Sequence, residues 1–209
     1  MKLLRGSIPL LCLLCFGVTL ANAQNGLDAY FGVGTAQAPS SGQSLQTFGT
    51  SQTFTTPTLN GTFGKLGADL MFTPHFGVGG AADWRFSQAP YAGLNYRPTF
   101  YDFYGIWEPT TRLKRVVPQF VGGLGATHLS FYLPQSSCNA FTGCSSSSTL
   151  VTSANHFQTH IGFGLGFYAT QHVFFRPQID AHWVDNFFQF GSNWVPEYSL
   201  SVGYRFGEH

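Results

Sequence analysis

Charge is what this chain lacks most. Its 10 Lys and Arg and 9 Asp and Glu make up 9% of 209 residues, where an ordinary soluble domain carries about 25%. So few ionic groups cannot cover a conventional solvated surface, and something other than water must face much of the chain. Long apolar runs are missing as well. Beyond residue 23 no stretch of about 18 predominantly apolar residues occurs, which excludes a helical membrane bundle, and a mean hydropathy of +0.03 means that apolar residues are interleaved with polar ones. No basic stripe is present, so nucleic acid is excluded as a partner. What is abundant is aromatic and small: 22 Phe, 9 Tyr, 4 Trp and 25 Gly. That wealth of rings argues against disorder, since unfolded segments are poor in aromatics.

The N-terminus reads as an export signal. Lys2 and Arg5 form a basic start, residues 8–20 an apolar stretch, and Ala21-Asn22-Ala23 a small-residue cleavage site. Residues 1–23 are therefore expected to be removed, leaving one domain over 24–209. Cys12 and Cys15 depart with the signal and Cys138 and Cys144 remain. In an oxidising compartment that pair reads as one disulfide, closing a loop so short that it contributes roughly 2 kcal/mol of mostly local order. No His or carboxylate lies between them to complete a metal site.

Periodicity settles the class. Phe157, Thr159, Ile161, Phe163, Leu165 and Phe167 alternate with Gln158, His160, Gly162, Gly164, Gly166 and Tyr168, a period of two that only a strand aligns on one face. The same pattern sets Val173, Phe175, Ile179 and Trp183 against Arg176, Gln178, Asp180 and His182, and Tyr198, Leu200, Val202, Tyr204 and Phe206 against Glu197, Ser199, Ser201 and Arg205. Upstream it recurs around Leu27 to Val33, Leu66 to Phe72, Phe76 to Phe86, Ala92 to Trp107 and Val116 to Phe131. In the stretch ending at Trp107 the parity slips between Phe100 and Phe103, which predicts a bulge there. Eight strands result.

Their connections alternate in length. Short links fall at 73–75, 108–114 and 170–172, and longer polar ones at 37–58, 88–91, 134–155 and 186–194. Loops sorted this way place one set at each end of an up-and-down meander, the pattern of membrane-spanning barrels. The fold expected is all-β, an eight-stranded antiparallel up-and-down transmembrane β-barrel. The polar faces carry Gly, Gln, Ser and sparse charges instead of abundant Lys and Glu, so the charges are assigned to the interior: Lys65, Arg85, Arg97, Arg176 and Arg205 against Asp28, Asp69, Asp83, Asp180 and Glu197. Eight strands enclose a space just wide enough for their own side chains. Balanced signs then point to internal ion pairs, with Lys65, Asp69, Asp83, Arg85, Arg176, Asp180 and His182 as the lumen network, and not to a one-sign pore lining.

Several segments together resemble the small outer-membrane β-barrels of Gram-negative bacteria, the OmpA-like and porin-family eight-stranded proteins. They are Asp28-Ala-Tyr-Phe-Gly-Val-Gly, Thr73-Pro-His-Phe-Gly-Val-Gly-Gly, Val117-Pro-Gln-Phe-Val-Gly-Gly-Leu-Gly, Val173-Phe-Phe-Arg-Pro-Gln-Ile-Asp and Tyr198-Ser-Leu-Ser-Val-Gly-Tyr-Arg-Phe. The resemblance implies residence in the outer membrane, contact with its lipids, and a final strand presented to the outer-membrane assembly machinery with Tyr204 and Phe206 as its aromatic signal. The chain departs from the pattern by continuing as Gly207-Glu208-His209 and by having Ser201 where Gly is usual.

No catalytic, cofactor or metal residues are expected. His128 and Ser130, two apart on a strand and so on one face, resemble the outward His-Ser pair of the lipid A deacylases. Those enzymes also use a nearby Glu, whereas the only Glu beyond the signal are Glu108, Glu197 and Glu208; the pair is read as rim-facing polar residues. His160 and His182, with Asp180, invite a metal or proton-linked reading, against which stands a hydrogen-bonded interior network. The function implied is a non-enzymatic envelope barrel displaying surface loops whose ligand is unspecified, with lipid A modification and a small pore as the alternatives.

Overall fold

The computed structural model describes residues 26–38, 44–46, 53–91, 93–109, 115–139, 143–187 and 190–207; the expected signal at 1–23, and Arg112 and Lys114, lie outside them. Eight long strands follow one another: β1 (Gly26–Ala36), β4 (Phe63–Met71), β5 (Phe76–Arg85), β7 (Leu94–Trp107), β8 (Val116–Asn139), β9 (Gly143–Tyr168), β10 (Val173–Val184) and β11 (Trp194–Phe206). Three short strands decorate the loops, β2 (Ser44–Gln46) paired with β3 (Thr53–Thr55), and β6 (Ala89–Tyr91) on the edge of β7. Every long strand is antiparallel to both neighbours, and β1 against β11, from Leu27↔Phe206 to Ala36↔Glu197, closes the cylinder. Among the described residues there is no α-helix. Closure leaves no unpaired edge within the wall, the condition for strands to cross lipid.

Side-chain alternation makes this barrel apolar outside and turns its charged strand residues inward. Along β11, buried and exposed residues alternate from Val195 to Phe206; Leu200, Val202, Tyr204 and Phe206 point out while Glu197, Ser199, Ser201 and Arg205 are buried. Phe103 is 76% exposed, with Leu66, Leu124, Ile161 and Ile179 above half. Each such side chain gains about 1.5–3 kcal/mol on leaving water, so a continuous outward band of them belongs in a bilayer. At one end of that band Trp107, Phe120 and Phe163 pack in file, ring centroids 5.4 and 5.0 Å apart, as an aromatic girdle does at a membrane interface.

Two short turns share one device. The hydroxyl of Thr73 accepts from the amide of Phe76, and that of Thr170 from the amide of Val173, both at 2.9 Å, while the turn histidines place Nδ1 2.8 Å from the Glu108 carbonyl and 3.1 Å from that of Arg205. A Thr-x-His turn thus satisfies its own amide and ties itself to the next strand end.

Three expectations change. First, β7 contains no bulge between Phe100 and Phe103: its register with β8 is unbroken from Asn95↔Tyr132 to Trp107↔Phe120. Phe100 points inward and is fully buried, so the apparent slip is an aromatic residue serving the interior. Second, that continuous parity turns Arg97 outward, where its guanidinium lies 5.7 Å from the Tyr132 ring. Third, most of the segment 134–155 is strand and not loop. β8 and β9 continue as a hairpin from Tyr132↔Leu150 to Asn139↔Gly143, beyond an irregularity at Phe131/Tyr132 where Val151 is the extra residue. Cys138 and Cys144 are directly opposed near its tip and bonded.

Candidate functional site

The lumen is where the chemistry of this chain collects, and it is built in three levels. At the short-turn end, β1 and β11 bring Asp28 and Arg205 opposite each other, and the guanidinium donates two hydrogen bonds of 2.6 Å to the carboxylate. Arg176 donates to Asp69 at 2.6 Å and lies 3.5 Å from Asp28, its guanidinium 4.8 Å from the centroids of both the Tyr30 and Phe174 rings. The Tyr30 and Tyr104 hydroxyls share a 2.5 Å hydrogen bond, and Tyr104 donates to Asp69 at 2.7 Å. Glu108, just past β7, lies 4.0 Å from Arg205; burial pushes its carboxyl above the ordinary range and Arg205 opposes the shift.

The middle level turns on Lys65. Its ammonium reaches Glu197 at 2.9 Å, Asp180 at 3.1 Å and Asp83 at 3.4 Å, so one cation with three donors serves three carboxylates. Gln178 donates to Asp180 at 2.9 Å. Beside this group Asp102 accepts from Gln158 at 2.6 Å and lies 3.0 Å from His160 Nδ1.

The level nearest the long loops is apolar. Leu59, Phe63, Tyr96, Phe100, Leu129, Val184, Phe187, Phe190 and Val195 form one buried cluster, with Phe187 and Phe190 stacked at 4.2 Å. Arg85 donates to the Thr58 and Asn60 carbonyls at its margin, and Tyr96 donates to the Thr58 carbonyl as well. Residues that follow β3 and residues between β10 and β11 fold inward to complete this plug. Loop residues cannot be assigned a face by period two, which is why the sequence alone does not reveal this plug.

Lys65, Asp69, Asp83, Arg85, Arg176, Asp180 and His182 are all buried inside. Arg97 is not among them, while Asp102 and Glu108, unassigned from sequence, are. Among the described residues the count of five charges of each sign is therefore corrected to four buried cations, Lys65, Arg85, Arg176 and Arg205, against seven buried carboxylates, Asp28, Asp69, Asp83, Asp102, Glu108, Asp180 and Glu197. The sequence does hold a signal for Asp102: strict alternation from Tyr96 to Trp107 puts it on the Phe100 and Tyr104 side.

His128 and Ser130 lie on the outward face of β8, alternating with buried Thr127 and Leu129. His128 Nδ1 hydrogen-bonds at 2.6 Å to Asn155 Oδ1 across the ladder. An amide oxygen orients the ring, but it carries no charge to stabilise an imidazolium. Tyr204 and Phe206 pack edge to face, 4.8 Å apart, on the outside of β11.

A family model described as outer membrane protein beta-barrel domain matches residues 8–206. Among solved structures the chain is similar to a major outer membrane protein from Thermus thermophilus, with 11% identity, a TM-score of 0.58, and 87% of this chain and 99% of that one covered. It is similar also to the N-terminal β-barrel domain of Pseudomonas aeruginosa OprF, with 14% identity, a TM-score of 0.51 and coverage of 88% and 98%, and to Neisserial surface protein A, with 14% identity, a TM-score of 0.51 and coverage of 86% and 95%. At such identities these likenesses speak of fold. No curated protein matches the chain.

Proposed function

Because the chain belongs to the outer-membrane β-barrel domain family, we propose that it is a closed, non-conducting and non-enzymatic barrel that strengthens the envelope of a Gram-negative cell and holds up its long loops. The observation that carries this reading is the filling of the lumen. A plug of Phe63, Tyr96, Phe100, Phe187 and Phe190 at one end and an ionic network below it leave side chains packed against side chains across the barrel. A conducting lumen of this strand number would need that filling removed.

Residues 1–23 serve as a cleaved export signal in this reading, the outward aromatic band meets outer-membrane lipids, and Tyr204 and Phe206 supply the strand signal read by the assembly machinery. The adaptable surface is the β8–β9 hairpin, Ser-rich, braced by Cys138 and Cys144, and exposed along most of its length. Its exposed Leu133, Leu150 and Val151 give apolar contact points among polar neighbours.

Two measurements test the proposal. Protein extracted from outer membranes should run as a heat-modifiable band, and the same preparation in a planar bilayer should give no stable conductance steps; sustained open steps would reject the closed-lumen reading. Replacing Ser130 by Ala should leave lipid A acylation unchanged by mass spectrometry. A loss of acyl-chain removal in that variant would return the His128 and Ser130 pair to the status of an active site.

A further inference from the structure

His160 and His182 are a directly opposed pair of the β9–β10 ladder, both buried, with rings stacked at 5.5 Å. The unbroken parity of β7 aims Asp102 at them from across the lumen. One ligand atom from each of the three lies within 4.8 Å of the others. His160 Nδ1 is 3.0 Å from Asp102 Oδ1 and His182 Nδ1 is 3.9 Å from Oδ2. Two ligands about 2.0–2.1 Å from a tetrahedral zinc are separated by about 3.3 Å, so these spacings bracket what a shared ion requires.

The surroundings favour a cation at this point. His182 Nδ1 is buried without a hydrogen-bond partner, and an orphaned buried polar atom calls for one. Glu197 Oε2 lies 3.3 Å from His182 Nε2. A carboxylate there holds the ring proton on Nε2 and turns the Nδ1 lone pair toward Asp102, the carboxylate, histidine, metal arrangement of zinc proteins. Gln158 donates to Asp102 Oδ1 at 2.6 Å and so fixes the carboxylate from behind. Lys65, Ala81, Gln178 and Asp180 border the same spot.

We propose that Asp102, His160 and His182 form a lumenal site for a divalent transition metal of the zinc class. Two imidazoles and one carboxylate are a borderline donor set that suits zinc and disfavours calcium and magnesium, which take oxygen ligands. Phe100 stacks on His182 at 5.2 Å and Tyr104 meets His160 edge-on at 5.5 Å, so the site is roofed by rings. The ion enters as the barrel closes and then locks β7, β9 and β10 together, because its ligands come from all three strands.

The test is to refold the full mature chain in detergent with zinc, with cobalt(II) or with a chelator, and to compare it with His160→Gln, His182→Gln and the surface variant Asp185→Asn. The expected result is about one zinc retained per folded chain after gel filtration, tetrahedral cobalt absorption in the visible, and a higher unfolding midpoint with metal than with chelator. Both histidine variants should lose these properties while keeping the heat-modifiable band, and Asp185→Asn should keep them. Equal retention by all variants, which marks binding at exposed histidines, or no retention by the wild-type chain, overturns the proposal. If the histidine variants do not fold, the wild-type cobalt spectrum decides alone: a six-coordinate spectrum like that of the unfolded chain rejects the site.

Discussion

Replacing Lys65 by Met should cost about 3–5 kcal/mol of barrel stability, the range for removing one partner of a buried ion pair. The reason lies less in the three attractions lost than in what is left behind. Asp83, Asp180 and Glu197 are each at most 2% exposed, and Asp83 has no hydrogen-bond partner on either oxygen, only Lys65 at 3.4 Å. Without the ammonium these carboxylates repel one another in a medium that screens them poorly. Methionine fills nearly the same volume, so a cavity contributes little. Urea unfolding in detergent micelles, followed by the heat-modifiable band, should show the midpoint fall sharply. The double variant Lys65→Met with Glu197→Gln should recover part of the loss, because the two residues are in contact and their effects do not add. A change below about 1 kcal/mol for Lys65→Met, the level of an exposed pair, would show that water reaches this level of the lumen.

That network also marks how far the sequence can be read. Period-two alternation gives every spanning strand and the inward place of Lys65, Asp69, Asp83, Arg85, Arg176, Asp180 and His182, because a lipid-facing wall imposes one rule on each residue. The rule fails where an inward position is apolar. Phe100 and the loop residues Phe187 and Phe190 belong to the plug, and taking Phe100 as lipid-facing shifts the parity of half a strand, which places Arg97 inside and passes over Asp102. The Ser-rich segment after Pro134 reads as loop for a related reason. Its strands project beyond the band, and with no buried face to enforce alternation the pattern vanishes although the ladder continues to Asn139↔Gly143. The candidate metal cluster depends on a cross-lumen meeting of β7 with β9 and β10, a distance relation no local pattern encodes.

The second large effect is expected at a residue with no side chain. Gly123 stands on the inward face of β8, paired with Tyr104 on β7 and His160 on β9. A Cβ there would lie 2.0 Å from the Phe103 carbonyl oxygen and 2.6 Å from the Tyr104 Cα. Both are backbone atoms held in the ladder, so no rotamer change relieves the clash and the β7–β8 pairing itself must shift. Tyr104 would move with it, disturbing its hydrogen bonds to Tyr30 and Asp69. Gly123→Ala should therefore cost about 3 kcal/mol or more, the upper end of overpacking, seen as a lower unfolding midpoint and a poor yield of folded band. Gly105 is the control. It lies on the outward face of β7, and its added Cβ would meet nothing nearer than the Gly122 carbonyl oxygen at 3.9 Å, so Gly105→Ala should stay within about 0.5 kcal/mol of the parent. Equal behaviour of the two variants would mean that the barrel wall gives way at Gly123. A tenfold or greater difference in the folding equilibrium would establish that inward glycines, by letting the strands approach, set the space into which the lumen side chains pack.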